Sequence, residues 1–269
     1  MIKVVILCGG QGTRLREETE YKPKPMVEIG KKPIIWHIMK LYSYYQLYDF
    51  ILCLGYKGDV IRKYFYNYEI IHSDFCIHLG SKQHKIYSSD SDEANWNITL
   101  ANTGYNAMTG ARIKNVEKYI EGDFFLATYG DAVADIDINE LVNFHKKTGK
   151  LATLTGIQPR SKYGIIDIEG DLVTKFNEKP VMQGYVNGGF FVFEKEIFNY
   201  LNQDESCTLE GEPMERLAKD KQLAIYRHNG FWECMDTYRD YEHLNYLYKS
   251  GQRPWMIWER KNEEKLLEK

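Results

Sequence analysis

"IKVVILCGGQGTRL" (residues 2–15) joins an apolar run to a glycine-dense loop. Residues 2–8 are rich in Val and Ile and alternate little, which is how a strand buried on both faces reads. Gly9, Gly10 and Gly12 break the run, Arg14 follows, and Lys22-Pro23-Lys24-Pro25 lies just beyond. Further along, Pro33 can start a helix, and Ile34, Ile35, Ile38, Met39, Leu41, Tyr42 and Tyr45 recur at helical spacing. A second buried strand, "DFILCLGY" (49–56), precedes a helix marked by Ile61, Tyr64, Phe65 and Tyr68. Strand, helix, strand, helix is the signature of a parallel sheet with helices on its faces.

The same reading carries on to the C-terminus. Residues 71–104 are polar and read as a small β insertion. A helix at 110–120 leads to "FFLATYGD" (124–131), the most apolar strand, which ends on Asp131. Asp137 can cap the next helix, through about His145, and "LATLTGIQ" resumes the sheet. A hairpin is expected around Glu169-Gly170-Asp171 within 164–180, and a strand at 185–193. A helix near 213–219, a strand at 223–228 and a helix at 237–249 close the fold. The charged segment "ERKNEEKLLEK" (259–269) reads as a solvated tail or a docking helix. Together these predict an α/β protein: a Rossmann-like, mostly parallel mixed sheet with helices on both faces and an inserted β region. One domain spans 1–269, with sugar-side and oligomerisation elements at about 160–260.

Composition narrows the function classes. The 269 residues are 43% hydrophobic and 27% charged, enough for a substantial core, and the net charge of -3 supplies no basic field for nucleic acid or an anionic membrane. The apolar run at Val4–Cys8 is too short for a signal peptide or a membrane span, which points to the cytoplasm. Five scattered cysteines without a Cys-x-x-Cys pair read as buried reduced thiols, and no His-x-x-x-His spacing suggests a histidine metal site.

Three chemistries compete for residues 9–14. A kinase-type phosphate loop ends Gly-Lys-Ser/Thr, whereas this one ends Gly12-Thr13-Arg14. A dinucleotide loop needs a third glycine and an acid closing the second strand; here Leu15 and Gly55-Tyr56-Lys57 stand in those places. A triphosphate loop of another design fits better. Adjacent glycines let backbone N–H groups approach phosphate oxygens, Arg14 can grip β- and γ-oxygens with its planar fork, and Lys24 is stiffened between prolines.

"GGQGTRL" followed by "KPKPM" resembles the sugar-1-phosphate nucleotidylyltransferases. "WHIMK", "GYKG", "MTGAR", "TYGD", "ADIDI", "NEKP", "NGGFFV" and "GFWECMDT" are most similar to the branch of that family that transfers a cytidylyl group. The resemblance runs from the first strand to "PWMIWE" (254–259). It departs from the family pattern at Ala132, where Gly is usual, and at Asn102, where Asp is common.

The resemblance implies attack of α-D-glucose 1-phosphate on CTP, giving CDP-glucose and pyrophosphate, for dideoxysugars of bacterial surface polysaccharide. It also implies Mg2+ and a homo-oligomer, often a hexamer. Carried over residue by residue, Leu7, Cys8, Gly9, Gly10, Gln11, Gly12 and Thr13 cradle the nucleotide. Arg14 holds pyrophosphate and Lys24 neutralises the α-phosphate. Gly110, Arg112, Gly130 and Asp131 approach the nucleotide. Arg14, Lys24 and Asp131 form the catalytic set, and Asp131 and Asp236 the metal pair. Glu178, Lys179, Asn187 and Gly188 face the sugar phosphate. Without the resemblance, Asp236 reads equally as a helix cap, Arg112 as a solvated cation and Glu178-Lys179 as turn surface. The tyrosines of the early helices read as core and subunit contacts, and Trp36, Trp255 and Trp258 as a possible subunit interface.

Overall fold

The computed structural model describes residues 2–87, 92–161 and 163–259, and its centre is a seven-stranded sheet. In chain order its strands are β1 (Lys3–Leu7), β2 (Asp49–Leu54), β3 (Asn97–Asn102), β4 (Phe124–Tyr129), β5 (Ala152–Ile157), β6 (Val186–Glu194) and β7 (Leu223–His228). Their order across the sheet is β3-β2-β1-β4-β6-β5-β7. All run parallel except β6, which is antiparallel to both β4 and β5.

Strand β1 shows why the opening run reads as it does. Val4 and Ile6 join one apolar cluster and Val5 and Leu7 the other, and all four are buried. Helices Ile34–Tyr44, Ile138–Thr148 and Tyr238–Lys249 cover the first face. Thr109–Asn115 and Glu212–Lys219 cover the second. With both faces dry, neither needs polar residues, and the alternation normal to a half-exposed strand disappears.

Two expectations are corrected. The polar insertion does not extend to 104: Asn97–Asn102 is β3, the sheet edge, in register with Asp49–Leu54. What is inserted is the exposed hairpin Asp74–His78 with Gln83–Tyr87; residues 88–91 lie outside the described chain. The tryptophans at 36 and 255 are not held for a partner. Trp36 and Trp255 are buried around His37 within one chain, and Trp258 packs edge-on against Trp36. Residues 260–269 of the charged tail are not described.

Other local signals agree with the fold. Asp137 caps Ile138–Thr148, its side chain accepting from the Glu140 N–H at 2.9 Å. Gly170, at φ +57, turns the hairpin Ile165–Glu169/Leu172–Asn177, whose apolar Ile166, Ile168, Val173 and Phe176 are all exposed.

Candidate active site

The C-terminal ends of β1 and β4 open onto one cleft of about 300 Å³. Adjacent parallel strands expose their last residues on the same side, where loops diverge and leave a crevice. Leu7, Cys8, Gly9, Gly10, Gly12, Thr13, Arg14, Lys24, Arg112, Gly130, Asp131 and Asp236 all line it. So do Pro25, read from the sequence only as stiffening Lys24, and Ala107, Met108, Thr109 and Tyr129, for which the sequence suggested no role. Tyr129 and Met108 do fall inside "TYGD" and "MTGAR", and that is the signal that could have found them.

A short ladder assembles the acids. Just beyond β4, Ala132–Ala134 pairs antiparallel with Trp232–Cys234, and the Met235 N–H donates to the Asp131 carbonyl at 2.8 Å. This sets Asp131 and Asp236 side by side. Gly130 permits the approach: its N–H donates to the Leu7 carbonyl at 3.1 Å, and a Cβ there would press on that oxygen and on Pro25. Asp236 is not a helix cap. Thr237 takes that position in a reciprocal capping box with Asp240, which leaves the Asp236 carboxylate free to face the cleft.

Lys24 stands between the two acids, 2.6 Å from Asp131 Oδ2 and 2.5 Å from Asp236 Oδ1. Arg14, largely exposed, reaches the second Asp236 oxygen at 3.0 Å. Burial alone would lower the Lys24 pKa. The charge of Asp131 and the hydrogen bonds to both aspartates outweigh it and lift the ammonium to about 12. Burial likewise favours a neutral Asp236, but Lys24, through its hydrogen bond and charge, and Arg14 hold it below the ordinary carboxylate value.

The two carboxylates offer the oxygen donors that a hard divalent ion takes, with a thiol beside them. One ligand atom each from Asp131, Cys234 and Asp236 lie within 4.8 Å of one another. Mg2+ takes one or two carboxylates and completes its shell with phosphate and water oxygens. Cys234 is an unforeseen neighbour. Burial, then the charge of Asp131, pushes its thiol well up, so it stays neutral beside the acids.

Arg112 is neither a solvated cation nor a free one. It is 4% exposed. One end of its fork donates to Thr103 Oγ1 at 2.9 Å and the Gly104 carbonyl at 2.7 Å, the other to the Gly9 carbonyl at 3.0 Å. Any Cβ on Gly9 or Gly55 would collide with this guanidinium, so glycine there makes room for a structural cation. Gly110 is buried against Cys207 and Leu209 and does not line the cleft; a Cβ would meet Cys207 Sγ at 2.7 Å. Gln11 lies outside the cleft, beside Thr13, Thr19, Glu20 and Tyr56. Lys22 pairs with Glu18 at 3.5 Å.

The sugar-side candidates divide. Asn187 Nδ2 donates to Tyr129 Oη at 3.0 Å, and Tyr129 in turn donates to Glu210. Thr109 Oγ1 donates to the other Glu210 oxygen at 2.6 Å. This network ties Asn187 to two residues of the cleft wall, and Glu210 enters it without a sequence signal. Gly188 is held by Trp232 Nε1, which donates to its carbonyl at 2.7 Å. Glu178 and Lys179 pair with each other at 3.5 Å just past the exposed hairpin and do not line the cleft.

The nucleotidyl transferase family model matches residues 3–251. The glucose-1-phosphate cytidylyltransferase of Salmonella typhi is 47% identical, over 96% of this chain and 100% of its own length. In fold, the crystal structure of HddC from Yersinia pseudotuberculosis covers 92% of this chain and 100% of its own, with a TM-score of 0.65 at 24% identity. A UDP-glucose pyrophosphorylase, solved with UDP-glucose, covers 93% and 100% with a TM-score of 0.66 at 17% identity. By sequence along nearly its whole length, and by the sheet that carries the cleft, the chain belongs to the nucleotidyl transferase family.

Proposed function

We propose that the protein transfers a cytidylyl group from CTP to α-D-glucose 1-phosphate, releasing pyrophosphate and CDP-glucose. The observation that carries the reading is the convergence of the glycine loop, Arg14, Lys24, Asp131 and Asp236 on one cleft. The 47% identity to a cytidylyltransferase supports the choice of nucleotide and sugar.

A sugar phosphate monoester, with a second pKa near 6, is mostly dianionic at neutral pH, so its oxygen attacks the α-phosphorus without a general base. The barrier is repulsion between anions and misalignment of the attack, and both yield to positioning and charge. Backbone N–H groups of Gly9–Gly12 hold the triphosphate. Arg14 takes the leaving pyrophosphate, and Lys24 meets the charge that grows on the α-phosphate. Asp131 and Asp236 would hold Mg2+, which supplies charge neutralisation at the phosphate oxygens. Asn187, tied to the cleft wall, and the neighbouring Gly188 serve the sugar side; for Glu178 and Lys179 the support is the "NEKP" resemblance alone.

We place the reaction in the cytoplasm, feeding dideoxysugars of surface polysaccharide; no helix among the described residues is long and apolar enough to cross a membrane. We assign a homo-oligomer, a hexamer by resemblance, supported by the exposed apolar face of the hairpin Ile165–Asn177. Light scattering reads the assembly directly. The deciding experiment measures pyrophosphate release for CTP, UTP and dTTP against a panel of sugar 1-phosphates. CTP with glucose 1-phosphate is expected to be fastest; release from another pair only would overturn the specificity.

A further inference from the structure

The position of Lys24 bears on how a metal ion reaches the acids. Its ammonium lies between the carboxylates, on Asp131 Oδ2 and Asp236 Oδ1, and Arg14 takes the remaining Asp236 oxygen. Both Asp236 oxygens are therefore engaged by cations. Two cations balance two carboxylates, and the buried Arg112 adds a further positive charge to the same cleft. A bare divalent ion entering this knot meets a wall that is already neutral to positive. An ion travelling with a nucleoside triphosphate carries net negative charge, and its phosphates offer Lys24 and Arg14 new partners as the ion takes the carboxylates.

The chain around Lys24 suits such an exchange. Its backbone opens the short turn Lys24–Met26 between Pro23 and Pro25, and the Val27 N–H closes that turn on the Lys24 carbonyl at 3.0 Å. The main chain is fixed, so only the four-carbon stem has to turn for the ammonium to change partners. Arg112 cannot make the same move, because its fork is held by carbonyls on several segments.

We propose that Lys24 is a place-holder for the metal: it closes the Asp131–Asp236 pair to free divalent ions and opens it to an ion delivered as the triphosphate complex. This rests on the reading of Asp131 and Asp236 as the metal pair. The ligand class is a divalent cation chelated by a nucleoside triphosphate, and binding is thereby ordered.

The test titrates the full chain with Mn2+, reading bound ion by electron paramagnetic resonance and water-proton relaxation, without and with CTP. Without CTP, Lys24→Met is expected to bind Mn2+ at least tenfold more tightly than wild type, and Lys24→Met with Asp236→Asn to lose that gain. Lys24→Gln repeats the comparison should Lys24→Met fail to fold. With CTP, wild type is expected to give a ternary relaxation signal that Asp131→Asn and Asp236→Asn abolish. Equal free-Mn2+ affinity in wild type and the Lys24 variants, with the ternary signal still dependent on both aspartates, overturns the place-holder and leaves the metal pair standing. A ternary signal indifferent to both aspartates overturns the metal pair, and the place-holder with it.

Discussion

Arg112 and Lys24 line the same cleft, and both are shielded from water, yet they are held in opposite ways. Arg112 spends its fork on Thr103 and on backbone carbonyls of Gly9, Leu54 and Gly104. Lys24 spends its ammonium on two carboxylates. Carbonyls of the main chain are fixed, so a cation bound to them stays and ties three segments together. Carboxylates are partners that another cation can claim, so a lysine bound to them can be released to work. The difference separates a cation that builds the site from one we propose acts in it.

The sharpest way to break this comparison is to remove each cation and read both rate and stability. Lys24→Ala is expected to lower turnover by about 10³-fold, the scale of a lost transition-state charge contact, with an unchanged circular dichroism spectrum. Arg112→Ala is expected to cost about 3 kcal/mol of folding stability in urea, because several buried carbonyls lose their donor together. Lysine at 112 would not restore it, since a point charge cannot span the segments that the fork does. A stable, inactive Arg112→Ala beside an unfolded Lys24→Ala would reverse the assignments.

A third buried nitrogen extends the comparison to a group held neutral. His37 Nε2 donates to the Ile29 carbonyl at 3.0 Å, and its Nδ1 accepts from Trp255 Nε1 at 3.3 Å. Both ring nitrogens are satisfied without a second proton. Burial, against modest help from backbone hydrogen bonds, brings its pKa down to about 4. The folded chain thus refuses a proton that the unfolded chain takes near pH 6.5. Stability is full above that pH and falls as pH drops toward 4, by about 3 kcal/mol over the window. Urea midpoints between pH 7 and 4 check this, and His37→Phe should flatten that part of the profile. The last expected effect concerns the acids. Asp236→Asn is expected to reduce turnover by about 10²-fold and to raise the Mg2+ needed for half-maximal rate; a rate that ignores the change would remove Asp236 from the metal pair.

What was legible in the sequence follows from how local each feature is. Strand β1 and its glycine loop could be read directly, because double-sided burial leaves an unbroken apolar run and glycines mark the close approach. The helix caps at Asp137 and the turn at Gly170 are equally local. Asn97–Asn102 misled because an edge strand is only half covered and carries Asn at both ends. Lys24, Asp131 and Asp236 could be named through motif resemblance, but their contact could not: Asp236 is 212 positions along the chain from Lys24. The work of Arg112, Tyr129, Glu210 and Cys234 depends on which segments meet in space, and no spacing along the chain encodes it. Glu178 and Lys179 show the converse, a motif that is present while its side chains stay outside the cleft, just past an outer hairpin.

The small ladder between Ala132–Ala134 and Trp232–Cys234 has a consequence for the life of the chain before it is an enzyme. One acid is made early and the other late, and only the closing of that ladder makes them neighbours. A growing chain that has made its glycine loop, β1 and β4 still lacks both the second ladder strand and Asp236. A fragment cut ahead of Trp232 is in the same position. The acid pair therefore exists only once residues beyond 231 have been made, because three residue pairs of one ladder bring Asp236 to Asp131.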